Sequence, residues 1–410
     1  MFMRVQIVKK YILRAVLVLS LFLVPAGMFL HANEVASMWS RLYGNASTNE
    51  HRYQIMLNMV ELDSRDLGPV YLQALEEQLR GYQNIQETTE RFAANQLIIL
   101  ILRQLGQQRV TESADAVWNM LEINPQVNVM SEAVRTLGRI EATQYSGRLA
   151  LMLRNMNLQV SPLTERREIE AVAFNTVVAL ERLREPVGFE PVFFAANGWY
   201  STQSGVRAAA RDALPEIVED PTDILMDITR GNTSVEVKQL ALRVGLDSNA
   251  PETRKAEFAA RSLEHALGVS PRTRIEEQAL KSLRMNALGA IRELEHKADR
   301  AVPSMARMLS GYRSDRLFDE DEMLALISAM GTFNNDDSVR ALSAFMRYQT
   351  ERRERGFIPD SPRIPRATII ALGNTGNPIA MEDLNMVVFS DQWESGVRRE
   401  ARAALDRIMN

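Results

Sequence analysis

The chain has 410 residues, of which 46% are apolar, 24% are charged and none is cysteine. That apolar content excludes an intrinsically disordered chain. The missing cysteines exclude disulfides, thiolate metal sites, cysteine nucleophiles and a lipid-modified N-terminal cysteine. A net charge of −4 provides no basic footprint for nucleic acid, and the length points to several modules or one repeat array.

The N-terminus reads as an export signal over residues 1–32. Arg4, Lys9, Lys10 and Arg14 form a basic region, followed by the uncharged run Ala15 to Leu30. Pro25 and Gly27 break that run near its end, and Ala32 offers a cleavage point before Asn33. The alternative is an uncleaved anchor, with residues 11–30 retained in a membrane; sixteen uncharged residues are short of the roughly 20 that span a bilayer. Residues 1–32 hold four basic residues and no acid, so the remainder carries 44 basic against 52 acidic residues, a net −8. Only Lys238, Lys255, Lys281 and Lys297 remain as lysines there, and the other 40 basic residues are arginine.

The rest of the chain reads as helices. Apolar residues recur at three- and four-residue spacing with no sustained alternation of period two. Val206, Ala209, Ala210, Ala213, Leu214 and Ile217 share one helical face, and Val397, Ala401, Ala404, Leu405 and Ile408 share another. Such amphipathic helices cannot bury their faces alone. The spacing predicts pairs over 50–83, 87–123, 126–157, 164–198, 202–230, 233–268, 272–312, 319–351 and 361–390, then a lone helix over 394–409. Asp220-Pro221 and Ser270-Pro271 read as helix starts. Asn334 to Asp337 can cap a helix, and Asp319 to Glu322 place negative charge in a first turn.

Glycines follow an apolar residue near the end of the first helix of several pairs, at Gly106, Gly138, Gly245, Gly289, Gly331 and Gly373. The step from Gly106 to Gly138 is 32 residues, and the steps from Gly289 to Gly331 and from Gly331 to Gly373 are 42. Periodic glycines in a strand-free chain indicate a helical solenoid, with helix capping as their expected job.

These residues resemble the HEAT and HEAT-like repeat family. Glu132-Ala-Val-Arg-Thr-Leu-Gly138 followed by Gly147-Arg-Leu-Ala-Leu-Met-Leu153 carries the pattern, as does Ala301-Val-Pro303 followed by Met305, Met308 and Leu309. Val206-Arg207 and Val397-Arg398 match the Val-Arg start of a first helix, with Val237-Lys238 a softer copy. The resemblance covers about 87–410 and is weak over 33–86; the segment 186–201, with Pro, Gly and aromatic residues, departs from it. It implies an all-α solenoid, or superhelix, of about eight to nine antiparallel helix pairs plus a C-terminal helix. The expected organisation is therefore 1–32 signal, 33–86 N-terminal helical or capping region and 87–410 repeat solenoid.

No catalytic, cofactor-binding or metal-binding site is expected. His51, His265 and His296 lie far apart in the chain, and no His-Glu-x-x-His occurs. Glu293-Leu-Glu-His296 matches one half of a di-iron element, but the second half is missing. No P-loop, dinucleotide fingerprint or nucleophile elbow is present.

Solenoids generally offer a long surface to another macromolecule. Three places are candidates for a protein partner. The first is the linker holding Arg347, Arg352, Arg353, Arg355, Arg363 and Arg366, stiffened by Pro359, Pro362 and Pro365; against Glu351, Glu354 and Asp360, residues 347–366 net +3. The second is Trp199 and Tyr200, in an expected turn beside Phe189, Phe193 and Phe194. The third is Trp393 with the final helix, for which array capping is the competing role. The functional expectation is a non-enzymatic, exported HEAT-like scaffold in a bacterial periplasm or envelope, with a flagellar motor as the analogy for the machine it serves. The alternatives are a membrane-tethered scaffold of the same role, and an enzyme or enzyme subunit holding a small ligand, for which convergence of His265 and His296 would be the sign.

Overall fold

The computed structural model describes residues 26–123, 125–159, 166–231, 233–313, 319–356 and 361–409. Residues 1–25 of the export segment, together with Pro359 and Asp360 of the arginine-rich linker, lie outside them. Among the described residues there are helices and turns and no strand. The residues divide into two compact units, one ending at Val218 and one running from Glu219.

Among the described residues the first unit holds ten helices: α1 (Ala26–Gly44), α2 (Asn49–Glu61), α3 (Gly68–Gly81), α4 (Thr88–Gln108), α5 (Ala114–Glu122), α6 (Val127–Arg139), α7 (Ser146–Leu158), α8 (Arg166–Leu183), α9 (Phe189–Ala196) and α10 (Val206–Ile217). The even-numbered helices pack in sequence, α2 on α4, α4 on α6, α6 on α8 and α8 on α10. Odd-numbered helices form a second row, in which α1 meets α3, α3 meets α5 and α7 meets α9. Apart from the step from α5 to α7, the helices of each row thus pack on the helix two places along the chain, which is the packing of a helical repeat.

The second unit repeats this arrangement. It holds α11 (Thr222–Arg230), α12 (Val235–Asp247), α13 (Glu252–Gly268), α14 (Arg274–Glu293), α15 (Ala301–Arg313), α16 (Glu320–Met330), α17 (Asp336–Glu354), α18 (Arg363–Thr375), α19 (Met381–Phe389) and α20 (Ser395–Met409). The row α12, α14, α16, α18, α20 and the row α11, α13, α15, α17, α19 are each continuous. The fold is an all-α solenoid, and its pairs fall within a few residues of the spans the periodicity predicts.

The expected apolar faces are the buried ones. Val206, Ala210, Ala213, Leu214 and Ile217 of α10 are buried, as are Val397, Ala401, Ala404 and Leu405 of α20. Burying one such Leu or Val side chain contributes roughly 1.5–3 kcal/mol. Turn chemistry sets the starts. Thr48, Ser234, Thr273, Asp319 and Asn335 each accept a backbone N–H in the first turn of the helix they precede, satisfying donors the helix itself cannot. α14 starts at Arg274 behind the Thr273 cap, slightly later than Ser270-Pro271 suggests. In the departing segment, a short 3₁₀ turn at Pro186–Gly188 leads into α9, only eight residues long, whose Phe189 and Phe193 are fully buried.

Gly331 stands at the C-cap of α16, as expected, but the periodic glycines have a further job. Among the described glycines only Gly205, Gly356 and Gly376 take positive φ. Left-handed turns after α4, α6 and α8 are instead made by Arg109, Glu141 and Arg184. The glycines let consecutive even-numbered helices touch backbone to backbone. A Cβ on Gly138 would stand 2.8 Å from Ala179 Cα, on Gly331 2.8 Å from Ala371 Cα, and on Gly373 2.8 Å from Ala404 Cβ. A Cβ on Gly245 would stand 2.5 Å from the Phe258 ring, and one on Gly289 would meet nothing within 4 Å.

Two of the few lysines also have a structural task. Lys238 donates to the carbonyls of Thr229 and Gly231 at the end of α11, the latter at 3.1 Å. Lys297 donates to Ile291, Arg292 and Leu294 carbonyls at 2.9, 2.8 and 2.5 Å at the end of α14. A compact ammonium with three donors suits a helix C-terminus, where carbonyls lack partners and the dipole is negative. Burial lowers the pKa of both lysines.

Candidate functional site

The arginines of residues 347–366 are largely engaged with carboxylates and rings of neighbouring helices. Arg347 on α17 holds Asp383 of α19 bidentately, at 2.9 and 3.2 Å, and these bonds raise its pKa. Arg352 reaches the Tyr348 hydroxyl at 3.1 Å. Arg353 lies 4.7 Å over the Trp393 ring and donates to the Gln392 carbonyl at 2.5 Å. Arg363 pairs with Glu320 at 3.2 Å and Arg366 with Glu400 at 3.9 Å. Arg355 follows α17 and is exposed. This segment therefore ties α16, α17, α18, α19 and α20 together.

The aromatic candidates are packed into the protein itself. Tyr200 is 2% exposed and its hydroxyl donates to Asn157 at 2.8 Å; burial and the nearby Glu170 charge raise its pKa. Trp199 is half-buried, donates to the Met156 carbonyl at 2.9 Å and has Arg166 5.3 Å over its ring. Trp393 is 3% exposed. Neither Tyr200 nor Trp393 presents a ring to solvent, so both pack the solenoid instead of anchoring a partner in this conformation. The apolar face of α20 is covered by α18 and α19, leaving Arg399 and Arg402 outward.

A local cluster of guanidinium groups lies in the first unit, on the even-numbered row. Glu132 of α6 is 4% exposed and sits among three arginines. Arg103 of α4 reaches it at 3.3 Å, Arg135 at 3.2 Å and Arg139 at 4.0 Å. Three- and seven-residue steps put Arg135 and Arg139 on the face of Glu132, and the α4–α6 contact brings Arg103 across. Arg135 also donates to Asn175 of α8, at 3.3 and 3.2 Å. Burial lowers the pKa of Arg139; Glu132 opposes this, while Arg135, Arg182 and Arg103 add to it. Among the described residues Arg182 of α8 has no carboxylate or hydrogen-bond partner.

Arg139 and Arg182 open onto a cavity of about 590 Å³ at the C-terminal ends of α4, α6 and α8. Gly106 and Gly138 line it, as do the left-handed turn residues Arg109, Glu141 and Arg184. Arg109 pairs with Glu141 at 3.3 Å, and Arg184 pairs with Glu216 at 2.8 Å. The second unit also holds ion pairs between neighbouring helices. Arg284 binds both oxygens of Glu322, Lys281 pairs with Asp319, Arg254 pairs with Asp220 and Asp223, and Arg300 pairs with Glu257 and Glu264.

A second, apolar cleft of about 720 Å³ lies among α5, α6, α7 and α8. Met130, Met152, Met156, Leu151 and Ile169 line it beside Trp118. Trp118 stacks on Tyr145 with centroids 5.0 Å apart, and Arg148 covers both rings.

Among the described residues no three His, Asp or Glu side chains gather as a metal site. His296 is exposed. His265 has a buried Nδ1 without a hydrogen-bond partner, and burial, then the Lys238 charge, lower its pKa. The unfolded chain therefore takes up this proton first as pH falls. Stability contributed by neutral His265 is present above the ordinary histidine pKa of about 6.5 and is lost as pH falls below it. We expect His265→Gln to flatten the fall in melting temperature between about pH 7 and pH 5; an unchanged slope would assign that loss to other groups.

No protein-family model matches this chain, and no curated protein matches it. Among solved structures it is similar to human deoxyhypusine hydroxylase in complex with glycerol. That match covers 83% of this chain and 97% of the other at 15% identity and a TM-score of 0.26. A chain of the SYS-1/POP-1 crystal complex is similar over 94% of this chain and 69% of its own, at 10% identity and a TM-score of 0.29. The helical-repeat assignment rests on the helix packing itself. Among the described residues no helix is long and apolar enough to cross a membrane.

Four arginines of this site, Arg103, Arg135, Arg139 and Arg182, are absent from the sequence-based candidates. They come one or two from each of three helices, so no local run marks them. One signal was available: Arg103 and Arg135 both stand three residues before a periodic glycine.

Proposed function

We propose that the chain is an exported, non-enzymatic HEAT-like scaffold that docks a protein partner along the even-numbered row of its first unit. The observation that carries this reading is the surplus of arginine around Glu132 and Arg182, in a chain whose net charge is −4. Guanidinium forks left without carboxylates are the groups that recognise a partner's carboxylates. Basic residues 4–14, the uncharged run to Leu30 and Ala32 support export to a bacterial periplasm or envelope. The test is capture of the tagged full chain from crosslinked source cells. We expect the same envelope proteins to be recovered repeatedly, and their yield to fall when Arg103 and Arg182 are changed to Gln. Equal recovery by the variant would remove this surface from the interaction.

A tethered form of the same scaffold is the second reading. α1 runs helically from Ala26, through Ala32, to Gly44, and Val35, Met38 and Leu42 are exposed on it. The mass of the N-terminal peptide separates the two: a start at Asn33 supports release, and an intact N-terminus supports the tether.

A further inference from the structure

We propose that the cavity at the ends of α4, α6 and α8 binds side-chain carboxylates of an acidic protein segment, held between Arg139 and Arg182. This rests on the scaffold reading and specifies the partner's chemistry.

Three observations carry it. The cavity, at about 590 Å³, falls in the range of roughly 300–1,000 Å³ that takes small groups. Its neighbouring guanidinium groups are incompletely matched: Arg139 shares the one Glu132 carboxylate with Arg103 and Arg135, and Arg182 has no acidic partner among the described residues. Close approach at Gly106 and Gly138 fixes the floor, because a Cβ on Gly138 would strike Ala179 and one on Gly106 would press on Arg139. The ends of α6 and α8 that carry Arg139 and Arg182 are therefore held together by packed backbone.

The charge pattern selects the ligand class. A planar fork accepts a carboxylate bidentately. Helix C-termini offset part of the positive charge, and Glu141 and Glu181 line the cavity beside Arg109, Arg139, Arg182 and Arg184. Those negative groups disfavour a long polyanion with evenly spaced phosphates. They tolerate a segment that places two or three carboxylates among the arginines and neutral residues elsewhere.

The test titrates the full chain with a fluorescein-labelled, end-capped hexaglutamate peptide and reads anisotropy. We expect saturable binding that weakens as salt rises past about 0.1 M. Arg182→Gln should weaken it roughly ten- to a hundredfold, with circular dichroism and melting unchanged because Arg182 is exposed. Arg355→Gln should leave it unaltered. Arg139→Gln should also weaken it, and Arg182→Glu is the second variant should Arg139→Gln disturb folding. Four results would overturn the proposal: no saturable binding, binding indifferent to Arg182, equal binding of hexaglutamine, or stronger binding of a single-stranded oligonucleotide. Competition by free glutamate as effective, per molecule, as the unlabelled peptide would place the ligand among small carboxylates and overturn the peptide assignment. If the peptide fails while cells still yield a partner crosslinked beside the cavity, the scaffold stands and the acidic partner falls.

Discussion

Gly138→Ala and Gly331→Ala each lower stability by about 1–3 kcal/mol, whereas Gly289→Ala raises it by about 0.5–1 kcal/mol. In an ordinary helix all three changes would stabilise, because alanine restricts the unfolded chain. The sign reverses at Gly138 and Gly331 because the new methyl meets the backbone of the next helix, Ala179 Cα and Ala371 Cα, each at 2.8 Å. A side-chain tip could rotate away, but a helix backbone moves only with its helix. α8 and α18 are held by α10 and α20 on their far sides, so the strain passes to the next repeat. Gly289 has nothing within 4 Å and shows only the propensity gain. Denaturant midpoints at constant slope give the comparison. Stabilisation by all three would return the periodic glycines to a neutral role.

Arg284→Met costs about 3–5 kcal/mol, the second large effect. Arg284 and Glu322 are the most enclosed ion pair described, with side chains 15% and 3% exposed. Removing the guanidinium strands a buried carboxylate between α14 and α16. Part of the loss returns in the double variant Arg284→Met with Glu322→Gln, because no charge is left behind. A double variant as damaged as the two single losses combined would mean that packing by the arginine stem, not the charge, holds the two helices.

The helix pairs were legible because their determinants are local. Three- and four-residue apolar spacing marks the buried faces of α10 and α20, and Asp319 and Asn335 mark starts by their own side chains. Glycine spacing was legible too, but its cause was not. Sequence cannot distinguish a glycine needed for positive φ from one needed for contact with a helix 32 or 42 residues away. The arginine-rich linker drew notice through local density. Its charges are met by Asp383, Glu320 and Glu400 on neighbouring helices. Conversely, Arg103, Arg139 and Arg182 are sparse along the chain and become a cluster only when α4, α6 and α8 stack. Tyr200 and Trp393 show the same limit, since a turn composition reads as exposure until a neighbouring repeat covers the ring.

Site-specific photocrosslinking in source cells compares the two surfaces directly. A photoreactive residue replaces Gln107, exposed beside the cavity, or Arg355, exposed after α17. A docking role for the first unit's arginine surplus predicts a reproducible protein adduct from position 107 and none from position 355. Adducts from position 355 alone would contradict it and return the interaction to residues 347–366.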